Sequence, residues 1–140
     1  MMNVLATALR NTKTTLVLTV PGAGAETRIR AELGDPLVIS HERYLYCNAG
    51  ELLSALVITR EGAHMEATPL FRALTEGGKV LITNIDRFAS HQARLILCIL
   101  RDRTVTTLDG GVEAVHPDTR IVVTCSDRDA LMDLVELMGS

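Results

Sequence analysis

Apolar residues recur along the chain with two different spacings. Short runs of aliphatic and β-branched residues predict buried strands, at residues 14–20, 37–40, 79–82 and 120–124. Segments in which apolar residues recur every three or four positions predict helices, at residues 25–33, 69–75, 90–100 and 127–138. Because the strands alternate with the helices, the pattern favours a parallel sheet in an α/β fold with right-handed crossovers.

Three weaker segments complete the predicted element order. Residues 51–57 predict a short helical stretch, and residues 104–107 and 112–115 flank a Leu-Asp-Gly-Gly turn that predicts a β-hairpin. The start of the chain, residues 1–12, predicts an N-terminal helical segment. Ser90 is the expected N-cap of the helix over 90–100.

Composition narrows the class of protein. A chain of 140 residues that is 47% apolar predicts one globular domain over residues 1–140. Its net charge of −3 gives no general attraction to nucleic acid or anionic membranes, and no apolar run approaches the roughly 20 residues of a membrane span. Three widely spaced cysteines without a CxxC pair favour a reducing, cytoplasmic compartment. The four histidines lack metal-ligand spacing, so no metal site is expected; they are His41, His64, His91 and His116.

A glycine-rich turn, Pro21-Gly22-Ala23-Gly24, joins the first predicted strand to the first predicted helix. This layout aims backbone N–H groups and a helix N-terminus at an anion. A phosphate-binding loop reads G-x-x-x-x-G-K-[ST], with a lysine for the phosphates and a hydroxyl for Mg²⁺. Aligning Gly24 with the second glycine places Ala25 at the lysine and Glu26 at the hydroxyl. Sliding the alignment by one residue restores Thr27 as the hydroxyl but makes Glu26 the lysine, so neither alignment contains a lysine.

The carboxylate of Glu26 changes the sign of the charge at this turn. A carboxylate ~4 Å from a phosphate oxygen would repel it by roughly 4 kcal/mol at an effective dielectric constant near 20. A negative side chain in the first helical turn also complements the helix dipole. One hypothesis is that Glu26 takes the electrostatic role of a phosphate, and the alternative is an ordinary strand-to-helix turn with an acidic helix start. The turn alone favours neither.

Residues 69–127 contain a longer set of motifs. The segment PLFRALTEGG precedes a short buried strand, a helix, a hairpin, an HPDTR turn and a second buried strand. In order and spacing this set resembles AAA+ ATPases, especially the MoxR-like and midasin-like branch, over about residues 14–127. The resemblance implies a three-layer core like that of P-loop NTPases, with a mostly parallel sheet and a β-hairpin. It also implies that the family's C-terminal lid is absent and that strand 14–20 forms an exposed sheet edge, which must be covered or paired with another subunit.

The residues that carry ATP hydrolysis in that family are replaced. At the Walker B strand, Thr83 stands where the family has its Mg²⁺-binding aspartate and Asn84 where it has its catalytic glutamate. An amide cannot accept a proton from water as a general base, and a hydroxyl does not replace a carboxylate on Mg²⁺. The resemblance therefore implies a degenerate nucleotide site, with no cofactor, made of ten residues: Pro21, Gly22, Gly24, Ala25, Glu26, Thr27, Thr83, Asn84, Asp86 and Ser126.

Three functional hypotheses follow. The first is a non-enzymatic AAA+-like module that acts by association, as a homo-oligomeric scaffold or a regulator of a protein partner. The second is an accessory protein for single-stranded nucleic acid, using Arg94, Arg101, Arg103 and the hairpin over 104–115; both Arg101 and Arg103 are then expected to face solvent. Acidic net charge and few aromatic residues weigh against it. The third is an ATP-binding protein with an atypical site.

Overall fold

The computed structural model describes residues 14–19, 24–44 and 49–139. Its eight strands, in chain order, are β1 (Thr14–Leu18), β2 (Leu37–Ser40), β3 (Ser54–Thr59), β4 (Gly62–Ala67), β5 (Lys79–Thr83), β6 (Thr104–Thr106), β7 (Val112–Ala114) and β8 (Arg120–Cys125). Its four α-helices are α1 (Ala25–Leu33), α2 (Pro69–Glu76), α3 (Ser90–Asp102) and α4 (Arg128–Gly139). The helical segment predicted over residues 1–12 lies outside the described residues.

The central sheet has four strands in the order β1-β8-β5-β2, and every neighbouring pair is parallel. Strands β5 and β8 lie in the middle and are apolar on both faces, which explains why their sequences read as continuous apolar runs. The predicted α/β fold with a parallel sheet is confirmed. Among the described residues β1 pairs only with β8, so β1 forms the predicted edge of this sheet.

Helices cover both faces of the sheet and produce three layers. On one face, Ile29 and Leu33 of α1 pack on Leu81 and Val122 of the two central strands. The other face carries the larger apolar cluster, in which buried residues of α2 and α3 meet those of β5 and β8. Gly34 ends α1 and Gly77 ends α2, both in the left-handed conformation that glycine adopts without strain.

The helical stretch predicted over residues 51–57 is wrong. A 3₁₀ turn at Ala49–Leu52 leads directly into β3, which pairs antiparallel with β4 through a tight turn at Arg60 and Glu61. A short apolar run does not distinguish a helix from a strand by periodicity, and the partner strand, GAHMEA, carries few residues that favour strands. The cross-strand pairing, which no local pattern shows, decides the conformation. The described part of the chain therefore has two β-hairpins where the sequence predicted one.

Candidate functional site

The positions of the predicted nucleotide site meet at one edge of the sheet. Strands β1, β8 and β5 are adjacent and parallel, so the segments that follow them all leave at the carboxyl edge, where open α/β sheets bind ligands. The backbone N–H of Thr19, just after β1, donates to the carbonyl of Cys125 at the end of β8 over 2.9 Å. Thr83 ends β5 and Ser126 directly follows β8. The described members of the predicted site thus share this edge.

The start of α1 forms one side of the site. Gly24 adopts a left-handed conformation with φ of 68°, and its carbonyl accepts a hydrogen bond from the N–H of Arg28. No side chain caps this helix, and Glu26 and Thr27 are exposed in its first turn. The acidic side chain of this first turn is the carboxylate of Glu26, which complements the helix dipole. Pro21 and Gly22 lie outside the described residues.

The end of β5 forms the centre of the site. Thr83 is buried, and its hydroxyl lies 3.5 Å from the carbonyl of Ile39 in the neighbouring strand. Asn84 adopts a left-handed conformation with φ of 52°, which asparagine tolerates better than most residues, and its N–H donates to the Thr124 hydroxyl. Both positions are engaged in joining β5 to its neighbours. Neither side chain is a carboxylate that could hold Mg²⁺ or accept a proton.

The remaining acidic group, Asp86, is tied to Ser126. One carboxylate oxygen accepts the N–H of Ser126 at 3.1 Å and the other accepts its hydroxyl at 2.9 Å. Burial alone would raise the pKa of Asp86, but the hydrogen bonds from Ser126 outweigh it and hold the pKa below its usual value. A carboxylate with a lowered pKa is ionised at neutral pH and is a weaker base. The pair joins the ends of β5 and β8.

Replacing Asp86 with asparagine is expected to lower the free energy of unfolding by about 1 kcal/mol at pH 7, since an amide can accept only one of the two hydrogen bonds. The pKa of Asp86 is lower in the folded state than in the unfolded state. Its contribution to the free energy of unfolding is therefore present above the pKa of the unfolded state and is lost as the pH falls through the pKa of the folded state. The difference between wild type and Asp86→Asn in urea should therefore shrink below about pH 4. If the difference in unfolding free energy stayed constant from pH 7 to acid pH, the assigned role of the Asp86–Ser126 hydrogen bonds would be contradicted. Glu76→Gln, which changes an exposed carboxylate, is the matched control.

The HPDTR turn has a structural role. The N–H of His116 donates to the carbonyl of Leu74, and the Thr119 hydroxyl lies 3.1 Å from the carbonyls of both Ala73 and Leu74. These carbonyls belong to the last turn of α2, where the Ala73 carbonyl also accepts the N–H groups of Gly77 and Gly78. The HPDTR turn therefore caps α2, which the PLFRALTEGG segment forms, and it positions the start of β8.

The three predicted contact arginines do not share one environment. Arg94 and Arg101 are exposed on α3, and Arg101 pairs with the adjacent Asp102. The expectation that Arg103 also faces solvent is wrong. Its guanidinium is half-buried and donates to the Thr14 hydroxyl and the Thr119 carbonyl, and burial lowers its pKa. Its backbone ends α3 in a left-handed conformation, which turns the side chain back to the sheet edge.

Replacing Arg103 with alanine is expected to lower the free energy of unfolding by about 1 kcal/mol, because two hydrogen bonds to β1 and the loop before β8 are lost. Arg103→Lys should recover little of this, since an ammonium lacks the guanidinium fork. Arg101→Ala, a solvent-exposed neighbour, should change stability by less than about 0.5 kcal/mol. Urea unfolding of the three variants measures the difference, and equal effects of the two alanine substitutions would contradict the assignment.

The other candidate groups form no further site within the described part of the chain. No cluster of three His, Cys, Asp or Glu side chains there could hold a metal ion. Cys125 is buried, and burial raises the pKa of its thiol, whereas Cys98 is half-buried. No described helix is both long and apolar enough to cross a membrane.

Comparison with known proteins identifies the fold. A crystal structure of a proposed ATPase from Cytophaga hutchinsonii is similar to this chain with a TM-score of 0.64 at 11% sequence identity. The chain has a P-loop NTPase-like fold. The similarity covers 94% of this chain and 42% of that protein, so the chain spans about two fifths of its length. No family model matches the sequence, and no curated protein matches it.

Proposed function

We propose that this chain is a non-catalytic AAA+-like module that acts by association with protein chains, including copies of itself. The end of β5 carries this proposal. Hydrolysis on this fold needs a carboxylate there to hold Mg²⁺ and a second to activate water. The structure has a buried threonine hydroxyl and an asparagine in those places, both hydrogen-bonded to the adjacent strands.

The start of α1 supports the same proposal. A lysine at position 25 or 26 would neutralise the phosphates, but the positions hold Ala25 and Glu26. A repulsion of roughly 4 kcal/mol between Glu26 and a nearby phosphate corresponds to about three orders of magnitude in affinity. Asp86, the nearest acidic group after β5, is bonded to Ser126 through both oxygens. The phosphate-binding, Mg²⁺-binding and water-activating groups are thus replaced together.

Exposed apolar side chains on the β3–β4 hairpin support association. Leu56 and Ile58 lie on one face of β3, at 62% and 75% exposure, and Met65 lies directly opposite Leu56 on β4. The other face of the hairpin carries an exposed pair, His64 with Glu66. Exposed apolar side chains grouped on one face of a hairpin are typical of a protein-binding surface. We assign this face to the protein partner.

Nucleic-acid binding receives less support. The hypothesis needed three solvent-facing arginines beside the β6–β7 hairpin, and Arg103 is committed to the fold. That hairpin adds acidic residues, Asp109 at its tip and Glu113 on β7, which would repel a phosphate backbone. Two arginines on one helix, which contains no Phe, Tyr or Trp, offer neither an electrostatic groove nor a stacking platform.

A hydrolysis assay tests the proposal. Purified protein should release no phosphate from Mg²⁺-ATP above the buffer blank, because no carboxylate stands at position 83 or 84. Ala25→Lys should remain inactive, since it restores one of three missing groups. Magnesium-dependent release of phosphate by the wild-type protein, lost in Asp86→Asn, would overturn the proposal and favour the atypical ATP-binding alternative.

A further inference from the structure

Helix α3 carries an open groove on its outer side. The described side chains that line it are Ser90, Ala93, Arg94, Leu97, Cys98 and Arg101, and its volume is about 410 Å³. Half-buried Ala93 and Cys98 make an apolar floor beside the buried Leu97, and the two arginines stand seven residues apart along it. Seven residues of α-helix span about 10.5 Å. Arg101 donates two hydrogen bonds to Asp102, which leaves further guanidinium donors available.

Helix α4 lies beside α3 and carries the opposite charge. It contacts α3, β1 and β8, so both helices belong to the same layer on one face of the sheet. Three exposed acidic residues, Asp129, Asp133 and Glu136, follow the four-and-three spacing that places side chains on one side of a helix. Met132, next to Asp133, is 58% exposed. The first and last of the three acidic residues are also seven residues apart.

We infer that the α3 groove binds the acidic side of α4 from a second copy of this chain. Arg94 and Arg101 match the acidic residues in charge and in spacing along the helix. Met132 supplies an unbranched apolar side chain that can fill an irregular apolar floor. This inference rests on the proposal that the chain acts by association, and it names the surfaces through which two copies of the chain would associate.

The arrangement closes as a symmetric dimer. The α3 groove and the acidic side of α4 lie on adjacent helices of one layer. When α3 of one protomer contacts α4 of its partner, α4 of the first protomer therefore contacts α3 of the partner. Each contact then forms twice about a two-fold axis. Exposed Arg128, at the start of α4, is the one basic residue among the described charges of that helix. It lies one turn or more from Asp133 and Glu136.

A charge exchange tests the interface. Wild-type protein should have about twice the chain mass of 15.2 kDa by light scattering at high micromolar concentration. Arg94→Glu/Arg101→Glu places like charges opposite α4, and Asp133→Lys/Glu136→Lys places like charges opposite α3. Each variant alone should have a dimer Kd at least about 100-fold weaker. Mixing the two variants in equal amounts should restore the dimer, because both groove-to-helix contacts in the mixed pair again join opposite charges.

The outcomes separate this inference from the proposed function. A wild-type dimer that persists in both variants, or a mixture that stays monomeric, overturns the α3–α4 interface and leaves association through another surface standing. A wild-type monomer at high micromolar concentration overturns the inference, while the hydrolysis assay still tests the missing catalytic groups. Arg28→Glu/Arg30→Glu, on exposed residues of α1 on the opposite face of the sheet, is the matched charge control and should remain dimeric. Circular dichroism confirms that each variant is folded.

Discussion

Replacing Leu81 with alanine is expected to lower the free energy of unfolding by about 3 kcal/mol, through lost burial and the cavity that remains. Leu81 is fully buried at the centre of the small cluster that holds α1 against the sheet. That cluster contains three other buried residues, Ile29, Leu33 and Val122, so few contacts replace those of Leu81. Urea unfolding gives the change in stability, and Leu108→Ala, an exposed leucine, is the control.

The same substitution should act on the candidate site, because α1 carries Ala25, Glu26 and Thr27 at its start. Amide protons of α1 should exchange faster in Leu81→Ala by a larger factor than those of α3, which packs on the other face in the larger cluster. A loss of stability below about 1 kcal/mol, or uniform acceleration of exchange in both helices, would contradict this account of how the site is held.

Replacing Gln92 with leucine is expected to lower the free energy of unfolding by about 2 kcal/mol, because two part-buried backbone groups lose their side-chain partner. The Gln92 side chain is almost fully buried, its oxygen accepts the N–H of Ala89, and its nitrogen donates to the carbonyl of Tyr44 at 2.7 Å. It thereby joins the start of α3 to the 3₁₀ turn after β2. His91→Ala, at the adjacent exposed position, should cost less than about 0.5 kcal/mol. Equal unfolding midpoints for the two variants would contradict the assignment.

The N-cap of α3 lies one residue before the position that the sequence predicted. Ser90 was the expected N-cap of α3, but the N-cap is Ala89, and Ser90 begins the helix. The shift makes Gln92 the third helical residue, the position from which a glutamine side chain reaches back to the N-cap N–H. The sequence contains this signal, but the serine masks it because serine is the commoner N-cap.

The core strands could be predicted because each is buried through its own apolar residues, whichever strand it pairs with. The β3–β4 hairpin could not be predicted in this way. Its face of Leu56, Ile58 and Met65 is exposed, and β4 has no regular alternation of apolar and polar residues. The two arginines Arg101 and Arg103 look alike in sequence. They differ because the backbone at Arg103 is left-handed and β1 lies beside it. Arg101 therefore lies in solvent, and Arg103 lies against the sheet edge.

The structure places the described candidate residues at one edge of the sheet, because strand ends in a parallel sheet share one edge, but no sequence pattern showed the hydrogen bonds among them. The bond from the N–H of Asn84 to Thr124, and those from Ser126 to Asp86, join residues 40 apart in the chain. Together they join the end of β5, and the turn that follows it, to the end of β8.

A calorimetric titration with ATP in the presence of Mg²⁺ tests the central claim most directly, because binding precedes hydrolysis and needs fewer groups. With Glu26 at the start of α1 and no carboxylate at positions 83 and 84, we predict no saturable heat up to millimolar ATP, with or without EDTA. Saturable binding with a micromolar Kd, about −8 kcal/mol, that disappears when EDTA removes Mg²⁺ would contradict the account.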